Sequence, residues 1–124
     1  MNPTELKELA KWSAEFLGFE VHGGVTGDSF YCREVMEGGH SYDTSIILDS
    51  PKFAAYFMHL GKREMEKRGL NWHGNVYINS KDNSIEYYAS IYSVEFDFKR
   101  ETQISKVDTN EYIAFWSAVR EALK

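Results

Sequence analysis

Apolar and polar positions change period several times along this chain, and the changes divide it into helical and extended stretches. The tightest pattern runs from Trp72 to Tyr92. Two runs rich in β-branched and aromatic residues, 75–79 and 84–92, flank Ser80, Lys81, Asp82 and Asn83, a cluster of turn formers suited to a four-residue hairpin loop. Closing that loop sets Asn79 against Ser84 and fixes every rung below it. One face then carries Ile78/Ile85, Val76/Tyr87, Gly74/Ala89 and Trp72/Ile91. The other carries Tyr77/Glu86, Asn75/Tyr88 and His73/Ser90, with Tyr92 at its end. Side chains alternate with a period of two, so a slip of one residue would mix the two sets. Their clean separation predicts this register and assigns the first face to the core.

Three stretches follow the helical period instead. Asn2 as N-cap, Pro3 in the first turn and Glu5 three residues after the cap open a helix whose apolar stripe is Leu6, Leu9, Ala10, Phe16 and Leu17, with Gly18 as its left-handed end. Ser50 and Pro51 open a second, with Phe53, Ala54, Phe57, Met58, Leu60, Gly61 and Met65 on one side and Gly69 at its end, where Leu70 folds back onto Met65. Asp108 with Glu111 predicts a capping box, and Val107 with Tyr112 a hydrophobic staple, for a last helix striped by Tyr112, Phe115, Trp116, Val119 and Leu123. Between the first two helices, Phe19 to His22 and Phe30 to Met36 predict strands on either side of a loop at 23–28. Thr44 to Leu48 predicts a third, short one after the irregular stretch 37–43. Beyond the hairpin, Val94, Phe96 and Phe98 keep the parity of Tyr88 and Tyr92. That predicts either a bulge near Ser93 or a second layer over that face, and 99–106 reads as a turn or short edge strand.

Helices alternating with hairpin-paired strands predict an α+β fold in a single domain, 1–124: a mostly antiparallel sheet of four to five strands with three amphipathic helices. Three helices exceed what one face of such a sheet accommodates, so the expected architecture is an α-β-α sandwich.

Composition narrows the function classes. The chain has 124 residues, 43% hydrophobic and 15% aromatic, enough for one core filled by large rings. Its net charge of −5 is the wrong sign for a phosphate-backbone binder, so no nucleic-acid partner is expected. The basic residues Lys62, Arg63, Lys67 and Arg68 are interleaved with Glu64 and Glu66 and read as a solvated helix face. Cys32 is the only cysteine, which rules out an intrachain disulfide and a cysteine zinc cluster. The start of the chain lacks a signal-peptide pattern, and the longest apolar run, Phe53 to Met58, falls far short of the roughly 20 residues a membrane span needs. A cytoplasmic location without membrane attachment is expected.

Candidate chemistry is sparse. His22, His40, His59 and His73 show no metal-ligand spacing among themselves. His40 and Asp43, with Tyr42 between them in a Gly-rich stretch, could hold a metal or orient an imidazole; a plain polar loop uses the same residue types. His59 reads as a half-buried residue at a helix edge, and Cys32 as a small buried hydrophobe. Glu95 and Asp97 fall about 7 Å apart on one strand face, either an acid/base pair or the wet side of a strand. Gly23–Gly24 and Gly38–Gly39 lack the Gly-Lys-Ser/Thr continuation of a phosphate loop. The richest surface is the second hairpin face: His73, Asn75, Tyr77, Glu86, Tyr88 and Tyr92. Tyrosines among small polar residues offer large contact area at low rotamer cost, although a covering helix would turn the same rings into core.

The first helix ends in an apolar-Gly-apolar step (Leu17, Gly18, Phe19). Tyr42, Asp43, Thr44 and Ser45 precede an aromatic helix with Phe53, Ala54, Ala55, Tyr56 and Phe57, and the last helix ends Ala-x-x-x-Ala-Leu over 118–123. In this layout the chain resembles small phage-encoded proteins with an α-β-α sandwich domain. It departs from them in lacking a Trp in the middle helix, where Tyr56 is the nearest substitute. The resemblance implies a phage or prophage accessory protein with no catalytic residues to carry over. The residues therefore predict a non-enzymatic protein, without a cofactor, that binds a partner protein or sequesters a small ligand, with homo-oligomerisation through an exposed strand open to it. The alternative is a small metal-dependent hydrolase built on His40 and Asp43.

Overall fold

The computed structural model describes residues 2–24, 27–31, 41–44, 46–93 and 104–123. The chain is α+β and falls into two compact units, Met1–Phe57 and Met58–Lys124. The expectations for Cys32, Gly38–Gly39, His40, Val94, Glu95, Phe96, Asp97 and Phe98 lie outside the described residues.

In the first unit, α1 (Pro3–Phe16) starts with the expected capping box. The Glu5 N–H donates to Asn2 Oδ1 at 2.8 Å, and the Asn2 N–H donates to the Glu5 carboxylate at 3.4 Å. At its other end Gly18 takes φ +90°. The Gly18 and Phe19 N–H groups close back onto the carbonyls of Glu15 and Ala14, both at 3.0 Å, the two bonds of a Schellman cap. Strands β1 (Glu20–Gly24), β2 (Gly27–Tyr31) and β3 (Ser41–Asp43) pair antiparallel in that order. Gly23, Gly24, Gly27 and Asp28, expected in a loop, thus extend a hairpin whose last rung is Gly24↔Gly27. Ser41–Asp43, expected to be irregular, finds its partner in β2.

The strand expected at Thr44–Leu48 is instead a short helix, α2 (Ile46–Asp49). Ile46, Ile47 and Leu48 form an apolar run too short for periodicity to separate strand from buried helix. Leu9, Ala10, Ala14, Ile47, Leu48, Ala54 and Phe57 are buried, and Phe19 meets the Phe57 ring edge-on at 5.1 Å.

Helix α3 (Pro51–Lys67) begins with the Ala54 N–H bonded to the Ser50 carbonyl at 2.8 Å and ends at Gly69, which takes φ +72°. His59 on it is exposed, not half-buried. In the second unit, β4 (Leu70–Ile78) pairs with β5 (Ile85–Ser93) in the register read from the sequence, rung for rung from Ile78↔Ile85 to Trp72↔Ile91. The loop between them closes as expected. The Asn79 N–H donates to the Ser84 carbonyl at 2.8 Å, and Asn83 takes φ +58°, a left-handed conformation that asparagine tolerates. Strand β6 (Ile104–Asp108) adds to the other side of β5, giving the order β4-β5-β6. The described strands therefore form two three-stranded antiparallel sheets and not one sheet of four to five strands.

Helix α4 (Glu111–Ala122) is capped two residues later than expected. The Asn110 side chain accepts from the N–H groups of Tyr112 (2.9 Å) and Ile113 (3.2 Å), while Asp108 accepts from the Asn110 N–H at 2.8 Å. Asp108 is still strand, paired with Tyr87, so its backbone is committed to the ladder and cannot open the helix. Ile113, Ala114, Phe115, Trp116, Ala118 and Val119 are buried on α4, together with Ala89 and Ile91 of the sheet. Among the described residues no helix is long and apolar enough to cross a membrane.

Candidate functional site

The two faces of the β4–β5 hairpin are the richest surfaces of the second unit, and the register sorts their residues. His73, Asn75, Tyr77, Glu86, Tyr88 and Tyr92 all lie on one face, as expected. His73, Asn75 and Tyr77 are exposed; Glu86, Tyr88 and Tyr92 are half-buried. The Tyr77 and Tyr88 rings meet edge-to-face, 6.2 Å apart at 89°. The Asn75 amide nitrogen sits between the His73 imidazole and the Tyr77 hydroxyl at 3.4 Å from each, long and weak for hydrogen bonds. The Asn79 amide donates to Glu86 at 3.3 Å. At the base of this face Ser90 is buried, its hydroxyl 3.0 Å from that of Ser105 on β6. The arrangement supplies aromatic area and donors and acceptors for a contact surface.

The opposite face departs from expectation. Ala89 and Ile91 are buried and Trp72 is half-buried, but Val76, Ile78 and Ile85 are 58%, 71% and 49% exposed. The cause is length. Nine strand residues run about 30 Å, whereas a 12-residue helix such as α4 covers about 18 Å. The helix packs on the base of the sheet, where Phe115 meets Trp72 edge-on at 6.4 Å. The outer half of the hairpin therefore stands out as an arm with apolar side chains in solvent.

Where the helices end and the arm begins there is a cleft of about 430 Å³. Its floor is the Gly74↔Ala89 rung, where the face has almost no side chain; Trp72, Tyr87 and Phe115 wall it, and Lys62 and Glu111 stand at its rim. The Lys62 ammonium lies 3.8 Å from the centre of the Trp72 ring, a cation–π contact that holds a positive charge at the cleft. On the neighbouring turn Glu64 pairs with Arg68 at 3.5 Å and Lys67 at 3.8 Å, so one carboxylate faces two of the basic residues of this run. Sequence reasoning missed the cleft. Its signal was a small residue opposite a small residue in the middle of an otherwise bulky apolar face.

Of the alternative metal pair, Asp43 closes β3 opposite Ser29, and His40 is outside the described residues. Among the described residues no group of three His, Cys, Asp or Glu side chains could hold a metal ion. No protein-family model, curated protein or solved structure matches the chain.

Proposed function

We propose that this is a small non-enzymatic accessory protein, of phage or prophage type, that acts in the cytoplasm by binding a partner protein through the β4–β5 arm. One observation carries the reading. Of the large apolar side chains exposed among the described residues, Val76, Ile78 and Ile85 share one face of the arm, and Tyr77 and Val107 lie on the other face of the same sheet. Exposed apolar residues scattered singly need no explanation, but a cluster on one element marks a contact surface. The edge-to-face Tyr77–Tyr88 pair gives the other side of the arm the aromatic character enriched in such surfaces. The reading rests on the second unit alone and does not require the α-β-α sandwich.

Native mass spectrometry of the full chain, purified gently from its own cells, tests it. The expected result is a complex heavier than the 14.4 kDa chain that disappears when Val76, Ile78 and Ile85 are all replaced by Ser. A complex that survives the triple replacement, or a bare chain mass before it, overturns the reading.

The cleft supports a second reading, sequestration of a small ring-bearing ligand. Its volume is in the range of small-molecule sites, and its walls are aromatic with one fixed cation. A Cβ on Gly74 would meet only ordinary contacts, 3.7 Å from Trp72 and 3.8 Å from the Tyr88 carbonyl, so Gly74→Leu fills the cleft. A small mass excess on the wild-type chain that Gly74→Leu abolishes would favour this reading; an excess indifferent to that change would refute it.

A further inference from the structure

We infer that two copies of this chain pair through the free edge of β4, in an antiparallel two-fold ladder centred on Val76. The inference rests on the reading of the arm as a contact surface and names its occupant, a second copy.

Among the described residues no strand pairs with the outer edge of β4, and that edge lacks the usual protection. β4 is terminal in the order β4-β5-β6, and its nine residues include no Lys, Arg, Asp, Glu or Pro. Edge strands that must stay single are normally blocked by such residues. The loop decides which backbone groups are free. Because the Asn79 N–H bonds the Ser84 carbonyl, rung 79/84 is a hydrogen-bonded one. Alternation along an antiparallel pair then turns the N–H and C=O groups of Ile78, Val76, Gly74 and Trp72 away from β5. The outward N–H of Trp72 is taken by the Asn71 side chain at 2.9 Å, which closes the edge at its inner end. Gly74, Val76 and Ile78 are left as a self-pairing segment.

The side chains of that segment complement themselves. With Val76 opposite Val76, Gly74 of each copy faces Ile78 of the other. Across four strands the apolar face then reads Ile85, Ile78, Gly74, Ala89 in one row and Tyr87, Val76, Val76, Tyr87 in the next, with the first row repeated in reverse beyond it. Each copy's exposed Ile78 comes beside Gly74 in the floor of the other copy's cleft, large against small, with Ile85 next in the row. On the opposite face Asn75 meets Tyr77, and no two like charges become neighbours. A two-fold pairing of this kind is isologous and closes at two copies. The outer edge of the sheet, β6, carries Lys106 and Asp108 and is poorly suited to continue it.

Sedimentation of the full chain across a concentration series is the test, with amide hydrogen exchange beside it. The wild-type chain is expected to form a dimer, and the Gly74, Val76 and Ile78 amides to exchange more slowly as it does. Val76→Lys and Val76→Glu should each give a monomer. Mixed in equal amounts they should recover a dimer, because position 76 faces itself across the axis. Val76 is exposed in the single chain, so either variant should keep the wild-type circular dichroism. A wild-type chain that stays monomeric overturns the pairing but leaves the arm free for a different protein, which the mass-spectrometric test reads separately. A dimer that survives Val76→Lys, or amide exchange independent of concentration, places the interface elsewhere and also overturns it. Monomeric variants that fail to recover as a mixture overturn the register.

Discussion

Gly61 of α3 packs directly against the rings of Trp116 and Phe115 on α4: a Cβ at Gly61 would sit 2.8 Å from Trp116 Cη2 and 2.8 Å from Phe115 Cε1. Both rings are fully buried, so neither can move aside into solvent. A helix-interior glycine normally costs about 1 kcal/mol relative to alanine, but here the two rings leave no room for a Cβ. Gly61→Ala is expected to destabilise the chain by about 1–3 kcal/mol, the usual range for overpacking a filled core. Thermal unfolding checks it; a rise in melting temperature would mean that helix propensity outweighs packing at this position.

The start of α4 gives a second test. Asn110 accepts from two helix N–H groups, whereas Asp108 accepts one bond from the Asn110 backbone outside the helix. Asn110→Ala should therefore cost about 1 kcal/mol, typical of a lost N-cap, and Asp108→Ala clearly less. Denaturant unfolding of the two variants compares them, and the reverse ranking would restore Asp108 as the cap.

The Thr44 hydroxyl is buried and, among the described residues, has no hydrogen-bond partner. Valine matches its shape without the polar atom. Removing an unsatisfied buried hydroxyl recovers a desolvation cost of about 1–3 kcal/mol, so Thr44→Val should stabilise the chain by an amount toward the lower end of that range. A loss of stability in a melting experiment would show that the hydroxyl is bonded in solution.

In the hairpin loop, bonds from the Ser84 hydroxyl and then the Ser84 N–H hold the Asp82 carboxyl below its ordinary value of 3.8. The folded loop favours the charged form. Its contribution is thus complete above 3.8 and is lost as pH falls through the lower folded value. Asp82 is fully exposed, so the effect is local. The Ser84 amide resonance should titrate with a midpoint below 3.8 in the wild-type chain and not at all in Asp82→Asn; a wild-type midpoint at or above 3.8 would contradict the loop geometry.

Local chemistry was legible wherever it was self-contained. The hairpin register from Trp72 to Ile91 follows from the period-two sorting and a four-residue turn, and the capping box of α1 from Asn2 and Glu5, three positions apart. Both depend on neighbours close in sequence, so the residues themselves decide them. The cap of α4 failed for the complementary reason. Asp108 has the right spacing to Glu111, but pairing with Tyr87 across the sheet holds it in the strand, and Asn110 takes the role. Ser41–Asp43 became a strand only because β2 offers it a partner, and Ile46–Asp49 became helix although its residues favour either state.

The candidate site divides along the same line. The sequence by itself determined which residues share each face of the hairpin, because alternation is a property of the strand. It could not determine how far along the strands a helix reaches. Only the packing of α4 against the base of the sheet decided that Ala89 and Ile91 are core while Val76, Ile78 and Ile85 meet solvent, and only the approach of α3 and Phe115 to the Gly74–Ala89 rung made a cleft there. Burial is a relation between elements distant in sequence, and no local pattern encodes the length over which they overlap.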